Sequence, residues 1–461
     1  MSIVGAFIVP HPPIILPEIG CGEEQKIRRT TEAYREAARR AMALRPETVV
    51  ITSPHSAMYA DYFHLSPGGW ASGDFGMFHA PEAAEKAEYD TEFVEALTLA
   101  AGREGLPAGT FGEKSRALDH GTMIPLRFLH EFSRDFRVVR IGLSGLPASA
   151  HYRLGRCIAQ TAEKLGRRTV FVASGDLSHK LTETGPYGFA PEGPEFDRQI
   201  TQAMRDGDFG SFLSFDADFC DAAAECGLRS FQIMAGALDG LAVRPELLSY
   251  EGPFGVGYGV AAFAVEGKDE SRHFLEAYEK HRRERLDARK AGEDAYARLA
   301  RLSLETFVKT GKRAELPADL PEAIKTLRAG TFVSLKKDGR LRGCIGTVEP
   351  AAGCVGEEIL RNAVSAGTQD PRFDPVEEDE LCDLVYSVDV LSAPRPVQSA
   401  AELDAKRYGV IVTKGRRRGL LLPDLAGIGT PEEQINIAKR KAGIPSGETC
   451  SLERFEVTRH Q

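Results

Sequence analysis

Short apolar runs rich in β-branched residues recur through the first half of the chain, and the segments between them carry helical spacing. That alternation limits the fold more than any other feature. The runs are IVGAFIV at residues 3–9, TVVIT at 48–52, FRVVRIGL at 136–143, TVFVAS at 169–174 and VAAFAV at 260–265. EEQKIRRTTEAYREAARRAMAL and ASAHYRLGRCIAQTAEKLG fall between them. Strands alternating with helices predict an α/β N-terminal domain, a mostly buried central sheet flanked by helices. A chain of 461 residues exceeds one comfortable core, so two or three domains are expected.

Composition shifts after Val265, where KDESRHFLEAYEKHRRERLDARK packs charge densely at helical spacing with almost no apolar face. A solvated helical linker is expected over residues 267–289, between a domain at 1–266 and a smaller α+β domain at 290–461. The second domain opens on the amphipathic AYARLARLSLETFVKTG and continues with strand-like FVSLKKDGRLRG and DLVYSVDVL. Asp338-Gly339 supplies the left-handed backbone that a tight hairpin turn needs.

Several classes are excluded early. Hydrophobic residues make up 42% and charged residues 27%, which separates the chain from disordered sequences. The apolar N-terminus lacks a basic leader and is interrupted by Pro10, Pro12, Pro13 and Pro17. It therefore reads as a buried strand entering a loop, not a signal peptide or membrane helix. A cytoplasmic protein with no membrane partner is expected. Eight scattered cysteines contain no CxxC pair, so reduced thiols are expected. The net charge of -9 argues against nucleic acid as a partner for the N-terminal domain.

Eight of the eleven histidines precede residue 180, and four occupy telling contexts. His11 follows the first strand in VPHPP, and His55 follows TVVIT in SPHS. His120 lies in LDHG, and His179 lies in SGDLSH after TVFVAS. Open α/β sheets gather ligands at the carboxyl ends of their strands, so three of these imidazoles converge if the strands are parallel neighbours. Two His and one acidic ligand leave open positions for substrate and dioxygen on Fe(II), while zinc is the chemical rival. Any one of these histidines could equally be a hydrogen-bonded loop residue.

VPHPP, SPHS, LDHG and SGDLSH, in this order, together with the closing GPFGVGYGVAAF, resemble the LigB-type class III extradiol dioxygenases and the related Memo family. The resemblance implies His11 and His55 as metal ligands, His179 as the catalytic acid/base, and His120 as a catalytic contact to substrate or oxygen. For the third ligand it offers two adjacent residues in AAAECGLRS. Glu225 suits Fe(II) as a hard carboxylate, and Cys226 matches the Cys-Gly step of Memo proteins. Adjacent residues of extended chain point opposite ways, so one of the two faces the metal, with Glu225 slightly favoured. Asp176 reads equally well as a helix cap.

In the second domain, LKKDGRLRGCIGTVEP, NAVSAGTQDPRFDPV, SVDVLSAPRPV and YGVIVTKGRRRGLLLPD resemble the AMMECR domain. The pairing of the two domains resembles the AmmeMemoRadiSam family, whose neighbours include a radical-SAM protein. Arg342, Cys344, Asp370 and Arg372 outline a second polar site there, in which a nearby cation favours a thiolate. The bland alternative is a small residue between two tightly packed glycines. The Lys414–Arg418 run reads as a solvated hairpin turn.

The expectation is thus a non-haem Fe(II) extradiol-type dioxygenase that takes a small aromatic substrate and dioxygen, in a pathway with a radical-SAM partner. A Memo-like metal- or peptide-binding scaffold and a zinc-dependent hydrolase are the alternatives.

Overall fold

Alternation along four strands builds the first sheet. Ile8, Val50, Val139 and Phe171 are buried on one face, and Phe7, Val49, Val138 and Val170 on the other. A strand with both faces buried must be covered by helices on both sides. The strands are β1 (Ile3–Val9), β2 (Thr48–Ser53), β3 (Arg137–Gly142), β4 (Thr169–Ser174), β5 (Leu241–Glu251) and β6 (Tyr258–Lys268). They lie in the order β3-β2-β4-β1-β6-β5. The first four are parallel; β6 runs antiparallel to β1, and β5 to β6. This mixed sheet with helices on both faces is the α/β class expected from the sequence.

The computed structural model describes residues 2–425 and 427–461. One face of the sheet is covered by helices that include α3 (Ala148–Leu165), α4 (Glu192–Asp206) and α5 (Leu228–Ala237). The other is covered by α1 (Arg28–Ala43) and α2 (His120–His130), where Tyr34 stacks on Phe128 with ring centroids 4.1 Å apart. Strand β5 has no counterpart in the sequence reading. Its Pro245 interrupts a strand pattern, and the residue is tolerated because β5 is an edge strand.

The chain divides into two compact units, residues 1–281 and 282–461. The charged segment is not wholly solvated. Helix α6 (Phe274–Gly292) starts with Leu275 buried in the first unit's core, and Phe274 and Tyr278 pack beside it. The apolar residues of that first turn are hidden in a sequence dominated by charge. Among the described residues no helix is long and apolar enough to cross a membrane.

The second unit is α+β. Strands β7 (Thr331–Lys337), β8 (Arg340–Gly346), β9 (Leu384–Leu391) and, at the end of the chain, Val457–His460 form one antiparallel sheet. Helices Ala295–Thr310 and Val355–Thr368 contribute to its core. The β7–β8 turn is Asp338-Gly339, both left-handed, with φ of 51° and 80°. A second antiparallel sheet contains Gly409–Lys414 paired with Arg417–Leu421, so the basic run does form a hairpin. Three of its four cations are paired: Lys414 and Arg417 with Glu448, and Arg418 with Glu349.

Helices α3 and α5 meet backbone to backbone. A Cβ on Gly236 would fall inside contact distance of the Tyr152 carbonyl, and one on Gly155 would strike that of Ile233. Neither obstacle is a flexible side chain. Gly236→Ala is therefore expected to destabilise the first unit by about 1–3 kcal/mol, the usual cost of overpacking, read as a lower urea midpoint. An unchanged midpoint would show that the helices slide apart freely.

Candidate active site

Three neighbouring parallel strands end at one place. β1 runs into His11, β2 into His55, and β4 into Gly175, Asp176 and His179. His120 arrives separately, as the first residue of α2. The His11 and His55 Nε2 atoms are 3.0 Å apart. The His120 ring centroid lies 4.0 Å from that of His55 and 5.5 Å from that of His11. One nitrogen from each of the three lies within 4.8 Å of the others.

Each imidazole is aimed by its neighbours. The Ser174 hydroxyl donates to the Gly121 carbonyl at 2.6 Å, so its oxygen accepts from His11 Nδ1, 3.0 Å away. That assigns the proton to Nδ1 and turns the Nε2 lone pair towards the cluster. The His11 backbone N–H donates to the Asp176 carboxylate at 2.8 Å. Ser53 accepts from the His55 backbone N–H and donates to Asp119 at 2.5 Å. Asp119 also caps α2, accepting from the Thr122 backbone and hydroxyl. One carboxylate thus ties the β2 end to the helix that carries His120.

Electrostatics keeps the imidazoles neutral. Burial pushes His11 well below the ordinary histidine range, and the proximity of His55, which disfavours two adjacent imidazolium charges, adds to it. Desolvation lowers His55, and desolvation with the two neighbouring imidazoles pushes His120 down to about 3. Neutral imidazole is the form that binds a transition metal. Two cis nitrogens on an ion with bonds of about 2.1 Å stand about 3 Å apart, which matches the His11–His55 separation. The donor set therefore fits a first-row metal.

Of the two adjacent third-ligand residues, Cys226 is the one placed beside His11, with Sγ 3.7 Å from Nε2. The Glu225 carboxylate instead accepts from the Leu228 backbone N–H at 2.7 Å, at the start of α5. The slight preference for Glu225 is corrected on this point: a carboxylate at the head of a helix satisfies the free N–H groups there. Cys226 is held against β4 by backbone contact. Gly175 and Gly227 touch, with no room for a Cβ on either, and the Cys226 N–H reaches the Asp176 carbonyl at 3.4 Å. Burial pushes the Cys226 thiol well above its usual range.

His179 lines the same cavity as the three imidazoles, a space of about 650 Å³. Its backbone N–H donates to the Ala223 carbonyl, its Nδ1 has no hydrogen-bond partner among the described residues, and its ring meets Tyr187 edge-on at 5.1 Å. The preceding residue is clamped, because the Ser178 N–H donates to the buried Asp197 carboxylate at 2.8 Å and the Ser178 hydroxyl to the Ala223 carbonyl. The remaining early histidines serve the fold. His130 pairs with Glu85, His151 bonds the Pro147 carbonyl, His64 bonds that of Glu113, and His79 takes a left-handed turn at the surface.

Sequence reasoning passed over Asp119, Ser53 and Ser174. The signals were present: Asp119 is an N-cap residue inside LDHG, and the two serines end neighbouring strands.

In the second unit, Asp370 accepts from the Cys344 N–H at 2.9 Å and pairs with Arg372 at 2.7 Å, which holds its carboxyl well below the usual carboxylate range. Arg342 does not join them. It turns to Glu380 with contacts of 2.7 and 3.0 Å, and Arg372 lies near Cys344 in its place, 3.5 Å from its carbonyl oxygen. The glycines of LRGCIG are sites of close packing, Gly343 against the Ala366 carbonyl and Gly346 against Phe332.

Residues 5–261 match the family described as "Catalytic LigB subunit of aromatic ring-opening dioxygenase", and residues 297–461 match AMMECR1. The chain belongs to the LigB family, with an AMMECR1 domain fused behind it. A protein of Clostridium acetobutylicum is 42% identical over 469 residues, covering 100% of both chains. A Thermotoga maritima protein is 52% identical over 172 residues, 37% of this chain and 99% of its own. Among solved structures, an uncharacterized Pyrococcus horikoshii protein shares 32% identity over 36% of this chain and 88% of its own, with a TM-score of 0.33.

Asp197 makes the site's support pH-dependent. Burial raises its carboxyl from 3.8 to about 7, against the hydrogen bonds from Tyr250 and Ser178. Between those values the folded protein keeps a proton that the unfolded chain loses, so this group's contribution falls as pH rises. Asp197→Asn is expected to flatten the loss of stability between about pH 4 and 7, followed by thermal unfolding. An unchanged slope would mean that Asp197 is ionised in the fold throughout.

Proposed function

We propose that the first unit is a non-haem Fe(II)-dependent extradiol-type dioxygenase acting on a catechol-like or related aromatic substrate. The observation that carries this is the set of three neutral imidazoles, His11, His55 and His120, at adjoining strand and helix ends, with a fourth, His179, lining the same cavity. His11 and His55 would hold the ion, and His120, read from the sequence as a contact to substrate or oxygen, lies close enough to them to serve as a third donor. Fe(II) bound there would act as a Lewis acid that gathers a diol and dioxygen and passes electron density between them.

His179 takes a proton from a substrate hydroxyl and returns it during ring opening, a role suited to an imidazole with an unpartnered nitrogen. Asp197 and Ser178 keep that ring in place through the backbone. The cavity opens to solvent on one side, and its volume accommodates an aromatic ring. A radical-SAM protein acting on the same substrate or product is the partner proposed for this pathway.

A second reading rests on Cys226. A thiol 3.7 Å from His11 Nε2 suits zinc better than Fe(II), and with it a Memo-like metal-binding scaffold or a zinc-dependent hydrolase.

Anaerobic reconstitution with Fe(II), metal analysis and oxygen uptake against catechols separate these readings. One iron per chain with catechol-dependent uptake is the expected result; full zinc occupancy without uptake would move the chemistry to the second reading. His11→Ala and His55→Ala are expected to abolish stoichiometric iron binding and His120→Ala to lower it. His179→Ala keeps the iron and loses about 10²–10⁴-fold in turnover. Glu225→Ala is expected to keep the metal and cost about 1 kcal/mol of stability as a lost helix cap. Full iron retention in both the His11 and His55 variants would overturn the assignment.

A further inference from the structure

The cavity beside the imidazoles offers no cationic side chain, among the described residues, to pair with a negative charge. Among the described residues lining it there is neither Lys nor Arg, and its one carboxylate is Asp176. Apart from the imidazoles and a few hydroxyls, its walls are aromatic and apolar. The Phe78 ring meets His120 with centroids 5.3 Å apart, and Tyr187 stands perpendicular to His179 at 5.1 Å. Phe254 and Tyr258 contribute to the same lining. The aromatic faces therefore begin directly beside the imidazoles on two sides.

We propose, on the basis of the ring-cleavage reading of this site, that the cavity selects aromatic diols whose ring carries no anionic substituent, with Phe78 and Tyr187 flanking the ring. A carboxylate or phosphate brought in with the ring gives up water and meets no guanidinium or ammonium to replace it. It also approaches Asp176, a group of the same sign. His179, the imidazole outside the three-histidine cluster, is already committed to the diol hydroxyl. A neutral alkyl or hydroxyl substituent meets apolar and aromatic wall and uncharged hydroxyls such as those of Thr182 and Thr184.

The test is calorimetric titration of the full chain, loaded anaerobically with Fe(II), using 4-methylcatechol and 3,4-dihydroxybenzoate at neutral pH and low salt. The neutral diol is expected to bind at least about tenfold more tightly than the acid. Thr184→Lys, which places a cation at the exposed rim, is expected to narrow or reverse that ratio by strengthening binding of the acid. Equal or tighter binding of the acid by the unaltered chain overturns the proposal whatever the variant does. If neither compound binds, the ring-cleavage reading itself fails and the inference falls with it.

Discussion

The Ser174 hydroxyl is the contact on which the rest of the site depends. It sits at the end of β4, between β1 and β2 in the sheet, donates to the Gly121 carbonyl and accepts from His11. Because a hydroxyl has a single proton, giving it to Gly121 leaves only the acceptor role towards His11. The tautomer of a metal-binding imidazole is thereby set by a carbonyl from the first turn of the helix that carries His120. Strand order, helix position and ligand orientation are coupled through one buried side chain.

Asp119 plays the matching part on the other side, joining Ser53 to the head of α2. Removing one such partner leaves buried donors without acceptors, which costs more than the bond itself contributes. These contacts hold three nitrogens close together, and desolvation together with the closeness of the rings opposes protonation of any of them. Such proximity is unfavourable in a purely structural cluster and favourable where a cation is to be shared.

The second unit applies close packing differently. In LRGCIG the two glycines bring β8 against the Val355–Thr368 helix and Phe332, while Asp370 and Arg372 cover the backbone of Cys344. Ser334 donates to the Cys344 sulfur at 3.2 Å. The motif's distinctive spelling is accounted for first by geometry: an added Cβ at either glycine would strike backbone or an aromatic ring.

Much of this was legible in the chain itself. Five of the six strands of the first sheet announced themselves because burial on both faces demands continuous apolar runs, and β5 did not, because an edge strand tolerates Pro245 and polar residues. His11, His55, His120 and His179 stood out because each follows or opens an element at a recognisable signal. The apolar first turn of α6 was hidden because three side chains do not alter the charge pattern of a long segment. What sequence alone determined is local: which runs form strands, which histidines sit at their ends, and which family they spell. Tertiary structure decided what depends on contacts between distant residues: that Cys226 and not Glu225 stands beside His11, that Arg372 and not Arg342 lies near Cys344, and that no cation lines the cavity among the described residues. Neighbours in sequence share a backbone direction, but the environment of a side chain is set by whatever the fold packs against it.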